Sequence, residues 1–182
     1  MKRFLSIIFL LLIYNLSNAQ HTDKLKKILN ELNEIDSKPD TIFYGNGKVW
    51  WVGTITTFKY KSKNYSTNSG KLTEYYKNGE IASEVLLGKY GYILSSNSYD
   101  RKGNKTHESI TTEIDTNAKT LNEFFESEKH ISFKRYLKYY KYSYKYGICY
   151  LYKEGNSVNG KKSGLWKTYT ENGELKKEKH TE

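Results

Sequence analysis

The sequence predicts an all-β protein, a meander of repeated β-hairpins that forms one elongated antiparallel single sheet with an N-terminal helix after a signal peptide. The first observation behind this fold is a unit at residues 70–84, Gly-Lys-Leu-Thr-Glu-Tyr-Tyr-Lys-Asn-Gly-Glu-Ile-Ala-Ser-Glu. It recurs at residues 164–178 with Tyr, Asn-Gly and Glu at the same offsets. Strand-like runs flank Asn-Gly in both copies, which is the strongest short-range signal of a hairpin.

A third copy, residues 99–108, indicates the type of turn. It keeps Gly103 but has Lys102 where the other copies have Asn. Because Lys resists a positive φ and Gly does not, the shared geometry is a type I turn followed by a left-handed Gly, with Asp100 a favourable first residue. We therefore expect structural turns at four glycines: Gly47, Gly79, Gly103 and Gly173.

The second observation is the period of the copies. Glu84 to Glu108 is 24 residues, Glu108 to Glu154 is 46 and Glu154 to Glu178 is again 24. Self-similarity at this period indicates an array whose units bury apolar surface against their neighbours. The doubled interval holds either a degenerate repeat or an insertion at about residues 109–145, and the sequence Thr116-Asn117 followed by Leu121, Phe124 and Phe125 predicts a short helix there.

Residues 154–166, Glu-Gly-Asn-Ser-Val-Asn-Gly-Lys-Lys-Ser-Gly-Leu-Trp, resemble the Gly-Lys-Lys-x-Gly-x-Trp signature of MORN-repeat variants, followed by their Tyr-x-x-Asn-Gly-x-Leu hairpin. The likeness covers residues 70–108 and 150–178, is looser over 41–53 and fails over 109–145. It implies a β-hairpin repeat fold without catalytic residues. Because the family includes YwqK-type antitoxins, it also implies an immunity or antitoxin role as one function.

The N-terminus reads as a signal peptide over residues 1–19. Lys2 and Arg3 precede an apolar run, and Ser17-Asn18-Ala19 supplies the small residues of a cleavage site. The run is too short to cross a bilayer core of about 30 Å as a helix. We expect cleavage after Ala19 and export to the periplasm or outside the cell, not an integral membrane protein. With Cys149 the only cysteine, no intramolecular disulfide can form.

Residues 20–40 are expected to form a helix and linker before the repeat domain of residues 41–182. Apolar residues from Leu25 to Ile35 fall on one face of a helix over Thr22–Ser37, and Pro39 would end it. We expect this helix to cap the open end of the array, with docking of a partner as the alternative. Residues 49–58 predict a strand or hairpin, and residues 61–70 predict a polar loop.

The segment from Lys138 to Tyr152 is the most site-like stretch of a chain with a net charge of +10. Its tyrosines recur at even positions, so most rings should share one face of a strand or hairpin. Such rings can stack on sugars while lysines neutralise anions; the alternative is a packing face with its hydroxyls in water. The candidate binding surface is Lys138, Tyr140, Lys141, Tyr142, Tyr144, Lys145 and Tyr146.

No catalytic or metal-binding pattern stands out, because the four histidines are scattered and lack cysteine partners at zinc-site spacing. We expect no enzyme activity and no cofactor. The leading hypothesis is a non-enzymatic exported repeat protein whose β-surface binds a protein or an anionic glycan or lipid, with nucleic acid disfavoured as a partner. The alternatives are the immunity role and a polysaccharide hydrolase, which would need two carboxylates in one cleft. The partner's identity and the oligomeric state stay open.

Overall fold

The computed structural model describes residues 21–181, and within them ten strands form one antiparallel sheet in chain order. The strands are β1 (Asn33–Phe43), β2 (Val49–Tyr60), β3 (Lys63–Tyr75), β4 (Ile81–Leu87), β5 (Ile93–Tyr99), β6 (Lys105–Thr116), β7 (Ile131–Ser143), β8 (Ile148–Val158), β9 (Lys161–Tyr169) and β10 (Leu175–Thr181). Two helices, α1 (Asp23–Leu29) and α2 (Leu121–Glu126), and a 3-10 turn (Glu128–His130) accompany them. The predicted all-β meander of hairpins is confirmed; the predicted signal peptide lies outside the described residues.

Four of the turns share one geometry. Gly47, Gly79, Gly103 and Gly173 have φ of +80°, +97°, +80° and +85°. In the turn around Gly103, the Gly103 N–H donates to the Asp100 carbonyl at 3.0 Å and the Asp100 N–H donates to the Asn104 carbonyl at 2.8 Å. These are the hydrogen bonds of a type I turn that is followed by a left-handed glycine.

Because the sheet is a meander, these turns all lie along the side of the sheet where the odd-numbered strands end, and not at its outermost strands. We call this the turn edge: residues 44–48, 76–80, 100–104, 144–147 and 170–174, which join each odd-numbered strand to the next. The connections β2–β3, β4–β5, β6–β7 and β8–β9 lie on the opposite edge, which we call the far edge.

Helix α1 is shorter than predicted. It ends at Leu29, and β1 begins at Asn33, so Ile35 is 52% exposed on a strand and not buried on a helix face. Pro39 does not stop the helix but pairs with Thr54 inside β1. An edge strand tolerates Pro because its missing N–H can face solvent.

The two helices cover one face of the sheet near the far edge. Leu25 and Leu29 of α1 and Leu121 of α2 belong to one buried cluster with Phe58 of β2 and Ile114 of β6. We call this side the helix face and the other side the open face. The prediction that α1 caps the end of the array was wrong, because its apolar side lies on the middle of the sheet. The end strand β10 instead carries several lysines, and such charges discourage pairing with another edge.

Residues 61–70 form part of a strand and not the predicted loop. Only Lys61 and Ser62 form the turn, and β3 pairs with β2 from Lys63 onward. The hydroxyl groups of this polar strand find partners on β2: Thr56 and Ser69 lie 2.5 Å apart. Cross-strand hydroxyl pairs let Ser and Thr form a strand despite their polar composition.

The doubled repeat interval is explained by the β6–β7 connection on the far edge. Strands β6 and β7 pair along their length, and α2 with the 3-10 turn stands between them where other units have short turns. The interval therefore contains an insertion on the far edge. The β7–β8 turn continues the row of turns on the turn edge.

Candidate binding surface

The predicted binding segment does not form a single surface. Strand β7 ends at Ser143, and the chain reverses over residues 144–147 before β8. Lys138 pairs with Glu154, while Lys141 pairs with Tyr150. Because side chains alternate along a strand, Lys138, Tyr140 and Tyr142 lie on the open face and Lys141 lies on the helix face. Tyr144, Lys145 and Tyr146 belong to the turn, so the expectation that most of these rings share one face was wrong.

On the open face, the repeat glutamates belong to a row of directly paired residues that crosses the sheet. The row consists of Glu84, Asn97, Glu108, Lys138, Glu154, Lys167 and Glu178 on β4 to β10. From Glu108 to Glu178 the charges alternate in sign, and opposite charges on directly opposed strand positions stabilise a sheet. The periodic glutamates are therefore explained by strand pairing.

Lys138 and Tyr140 are held inside this row. The Lys138 ammonium lies 3.0 Å from Glu108 Oε1, and the Tyr140 hydroxyl donates to Glu108 Oε2 at 3.1 Å. Burial opposes ionisation of Glu108, but hydrogen bonds from Lys138 and Lys105 outweigh it and lower its pKa. Burial, with the nearby Glu108 charge, raises the pKa of Tyr140 to about 12. These two residues serve the sheet's own polar contacts, which leaves them poorly placed to bind a ligand.

The same tyrosine–glutamate contact recurs along the open face. Tyr99 donates to Glu84 at 3.0 Å, and Tyr169 donates to Glu154 at 2.6 Å. Hydrogen bonds from Lys71 and Tyr99 lower the pKa of Glu84, and the bond to Glu154 raises the pKa of Tyr169 to about 12. This repetition indicates a structural role for the open face.

The turn edge is where exposed aromatic rings and cations do meet. The Tyr44 hydroxyl donates to the Tyr75 carbonyl at 2.6 Å, and the Tyr76 hydroxyl donates to the Tyr99 carbonyl at 2.7 Å. Each bond ties one turn to the strand end that precedes the next turn. The Lys77 ammonium lies 5.8 Å from the Tyr44 ring centroid. The rings are thus fixed by their hydroxyls with cations beside them.

Two hollows lie between successive turns of this edge. The first, about 420 Å³, is lined by Tyr44, Tyr76, Lys77, Asn78 and Arg101. The second, about 600 Å³, is lined by Asp100, Arg101, Lys102, Asn104, Tyr142 and Tyr144. Tyr144 is 89% exposed and contacts Tyr142 edge-on at 5.2 Å between ring centroids. Arg101 is common to both hollows and connects them into one surface.

Asp100 is the acidic member of the second hollow, and its carboxylate is already satisfied. It accepts hydrogen bonds from the Lys102 N–H at 2.8 Å and from the Asn104 N–H at 2.9 Å. Hydrogen bonds from Asn104 lower its pKa. The turn thus uses this negative charge internally, and within residues 21–181 neither Arg101 nor Lys102 forms an ion pair.

Of the predicted segment, this surface therefore contains Tyr142 and Tyr144, with Lys145 and Tyr146 in the same β7–β8 turn. Sequence reasoning missed Tyr44, Tyr76, Lys77 and Arg101. The sequence did contain a signal for the two tyrosines. Tyr44 and Tyr76 both occupy the first position of a predicted turn, and every second turn of a meander lies on the same side of the sheet.

The described residues contain neither a grouping of metal ligands nor a membrane-spanning helix. In residues 21–181, no three His, Cys, Asp or Glu side chains are grouped as a metal site would require. Neither helix in that part of the chain is long and apolar enough to cross a bilayer. Burial raises the pKa of the Cys149 thiol, which disfavours the reactive thiolate.

Comparison of the chain with protein-family models, with curated proteins and with solved structures finds no match.

Proposed function

We propose that this chain is an exported, non-enzymatic repeat protein of the MORN-variant kind that binds an extended acidic polysaccharide along its turn edge. The observation that carries the proposal is the pair of adjoining hollows that share Arg101, with tyrosine rings and cations in both. Tyrosine rings offer flat apolar faces to sugar rings, while Lys and Arg form charge-assisted hydrogen bonds with carboxylates.

The regular spacing of the turns favours a polymer over a compact ligand. Successive turns of the edge are two strands apart, which is about 9.6 Å for a strand spacing of about 4.8 Å. A linear polysaccharide whose acidic units recur at a similar interval could contact one turn after another. Cleavage after Ala19 would remove Lys2 and Arg3 and lower the net charge from +10 to +8, which would still attract such a polyanion from a distance.

A titration with polygalacturonate tests the proposal, with neutral dextran as the comparison ligand. The double variant Arg101→Gln/Lys102→Gln removes two turn-edge charges. Lys59→Gln/Lys63→Gln is its matched control, since it removes two exposed charges at the far edge. We expect the turn-edge variant to bind about tenfold more weakly, which corresponds to about 1.4 kcal/mol, and the control to bind nearly as the parent does.

Two further measurements separate stacking from charge. Tyr144→Ala should weaken binding at unchanged thermal stability, because this ring is exposed and supports little of the fold. Binding should also weaken as salt rises, since exposed charges are screened beyond about 10 Å at 0.1 M ionic strength. Equal losses in the two double variants would show that only net charge matters and would overturn the proposal. Binding of an acidic protein but not of the polysaccharide would do the same, and it would favour the immunity role.

Export remains part of the proposal and rests on the sequence of residues 1–19. The intact mass of the protein from its native host tests it, because cleavage after Ala19 removes Lys2 and Arg3. A mature chain that still carries those residues would contradict it.

A further inference from the structure

A separate hollow of about 680 Å³ opens on the helix face near the far edge, at the opposite end of the strands from the turn edge. Tyr92 of β5 with Ile131 and Phe133 of β7 give it an apolar wall. Arg135 follows on the same face of β7. The proposed polysaccharide surface shares no residue with this hollow, so an experiment can refute either proposal without affecting the other.

One N–H of the Arg135 guanidinium is unsatisfied beside this apolar wall. Its Nε is buried without a hydrogen-bond partner, and its Cζ lies 4.7 Å from the centroid of the Phe133 ring. Within residues 21–181, no carboxylate lies within ion-pair distance of it. Burial lowers its pKa. A buried donor that lacks a partner costs free energy, which a suitable acceptor would recover.

The neighbours of Arg135 hold it in this position. It pairs with Thr111 on β6 and Ser157 on β8, and both of these short side chains are buried. The rim of the hollow is also fixed, because the Asn159 side chain accepts from the Phe133 N–H at 2.8 Å and the Asn159 N–H donates to the Phe133 carbonyl at 2.9 Å. A pre-formed site of this kind loses little conformational entropy on binding.

We propose that this hollow binds a small molecule or chain end in which a carboxylate is attached to an apolar group. The planar guanidinium offers a fork of N–H donors that matches the two oxygens of a carboxylate. The apolar group would lie against Tyr92, Ile131 and Phe133. Lys129 adds a second positive charge at the rim, and Glu128 there offsets it.

Paired titrations of the purified chain with 3-phenylpropionate and its neutral amide test this assignment, followed by NMR. We expect saturable binding of the acid, with shifts in the ring signals of Tyr92 and Phe133, and at least tenfold weaker binding of the amide. Arg135→Lys keeps the charge but loses the fork, so it should bind the acid about tenfold more weakly. Glu128→Gln should bind it about two- to fivefold more tightly, because an exposed like charge is worth up to about 1 kcal/mol.

Arg135→Met keeps the inference falsifiable if other variants lose stability. Because it replaces a buried, unpartnered donor with an apolar side chain of similar length, the thermal midpoint should not fall, while binding of the acid should be lost. Three results would overturn the assignment: equal binding of acid and amide, no binding of the acid in the millimolar range, or unchanged binding by a folded Arg135→Met. Arg101→Gln, at the turn edge, is the matched control and should bind the acid as the parent does.

Discussion

The indole of Trp166 lies directly on Gly155 of the neighbouring strand. A β-carbon added at Gly155 would lie 2.5 Å from Trp166 Cδ2, closer than any real contact. The indole N–H donates to the Asn156 carbonyl at 2.9 Å, and the ring is almost fully buried. The buried ring leaves no room for a side chain at position 155, which gives a packing reason for glycine there, opposite Trp166.

Gly155→Ala should accordingly destabilise the protein. Its methyl group must displace a buried ring whose position is fixed by a hydrogen bond, and overpacking of this kind costs about 1–3 kcal/mol. Denaturant unfolding measures the loss. Gly45→Ala is the control, since nothing lies within 4 Å of its added β-carbon. A loss at Gly155 no larger than the change at Gly45 would contradict the packing.

The turns allow a second test of backbone geometry. Gly103 has a φ of +80°, so Gly103→Ala should cost about 1–2 kcal/mol, because a β-carbon in the left-handed region approaches the backbone. Lys102→Ala, one residue earlier, should change stability by less than about 0.5 kcal/mol, since the type I position accepts most residues. Equal losses in chemical denaturation would mean that the strain lies elsewhere.

Features with a local physical cause could be predicted from the sequence. Lys102 in the third copy was enough to place the positive φ on Gly103, because a turn is decided by four or five adjacent residues. The sheet order followed from the same repeats, since consecutive hairpins with short turns pair in chain order.

The features that sequence reasoning missed depend on contacts between distant residues. The polar composition of residues 61–70 is typical of a loop. Only the hydrogen bond between the Ser69 and Thr56 hydroxyl groups, from β3 to β2, shows why the segment forms a strand. The spacing of the even-numbered tyrosines suggests that their rings share one face of a strand. The chain reverses after Ser143, however, and the register between β7 and β8 shifts between Tyr139 and Tyr140, so the rings are divided between the two faces and the turn. Arg135 carried no sequence signal, because its hollow is formed by the far-edge insertion and the β8–β9 turn together.

The charge row on the open face predicts a graded response to loss of its glutamates. Glu108 contacts Lys138 at 3.0 Å and Lys105 at 3.2 Å in a mostly buried position. Glu108→Gln should therefore destabilise by on the order of 1 kcal/mol. Glu178→Gln is the matched control at the exposed end of the row, where Lys167 lies 3.8 Å away, and it should cause no measurable loss. Thermal unfolding of both variants would decide, and a larger loss at Glu178 would contradict the ranking.

Mild acidification should destabilise the protein through two of its histidines, His21 and His107. Burial lowers the pKa of His21 below 6.5, aided by the Lys26 charge, and burial lowers that of His107 although Glu108 opposes it. His21 Nε2 is buried without a partner, and His107 packs against Tyr139 with 4.8 Å between ring centroids. Both imidazoles are therefore held neutral in the folded state.

The sign of this pH dependence follows from proton binding. Near and below pH 6.5, His21 and His107 bind protons more readily in the unfolded chain than in the folded one. The free energy of unfolding should therefore fall as the pH drops from 7.5 to 5.5. Denaturant unfolding across this range measures the slope. The variant His21→Gln/His107→Gln should show a flatter dependence. A parent whose stability is constant over this interval would show that neither imidazole resists protonation in the folded state.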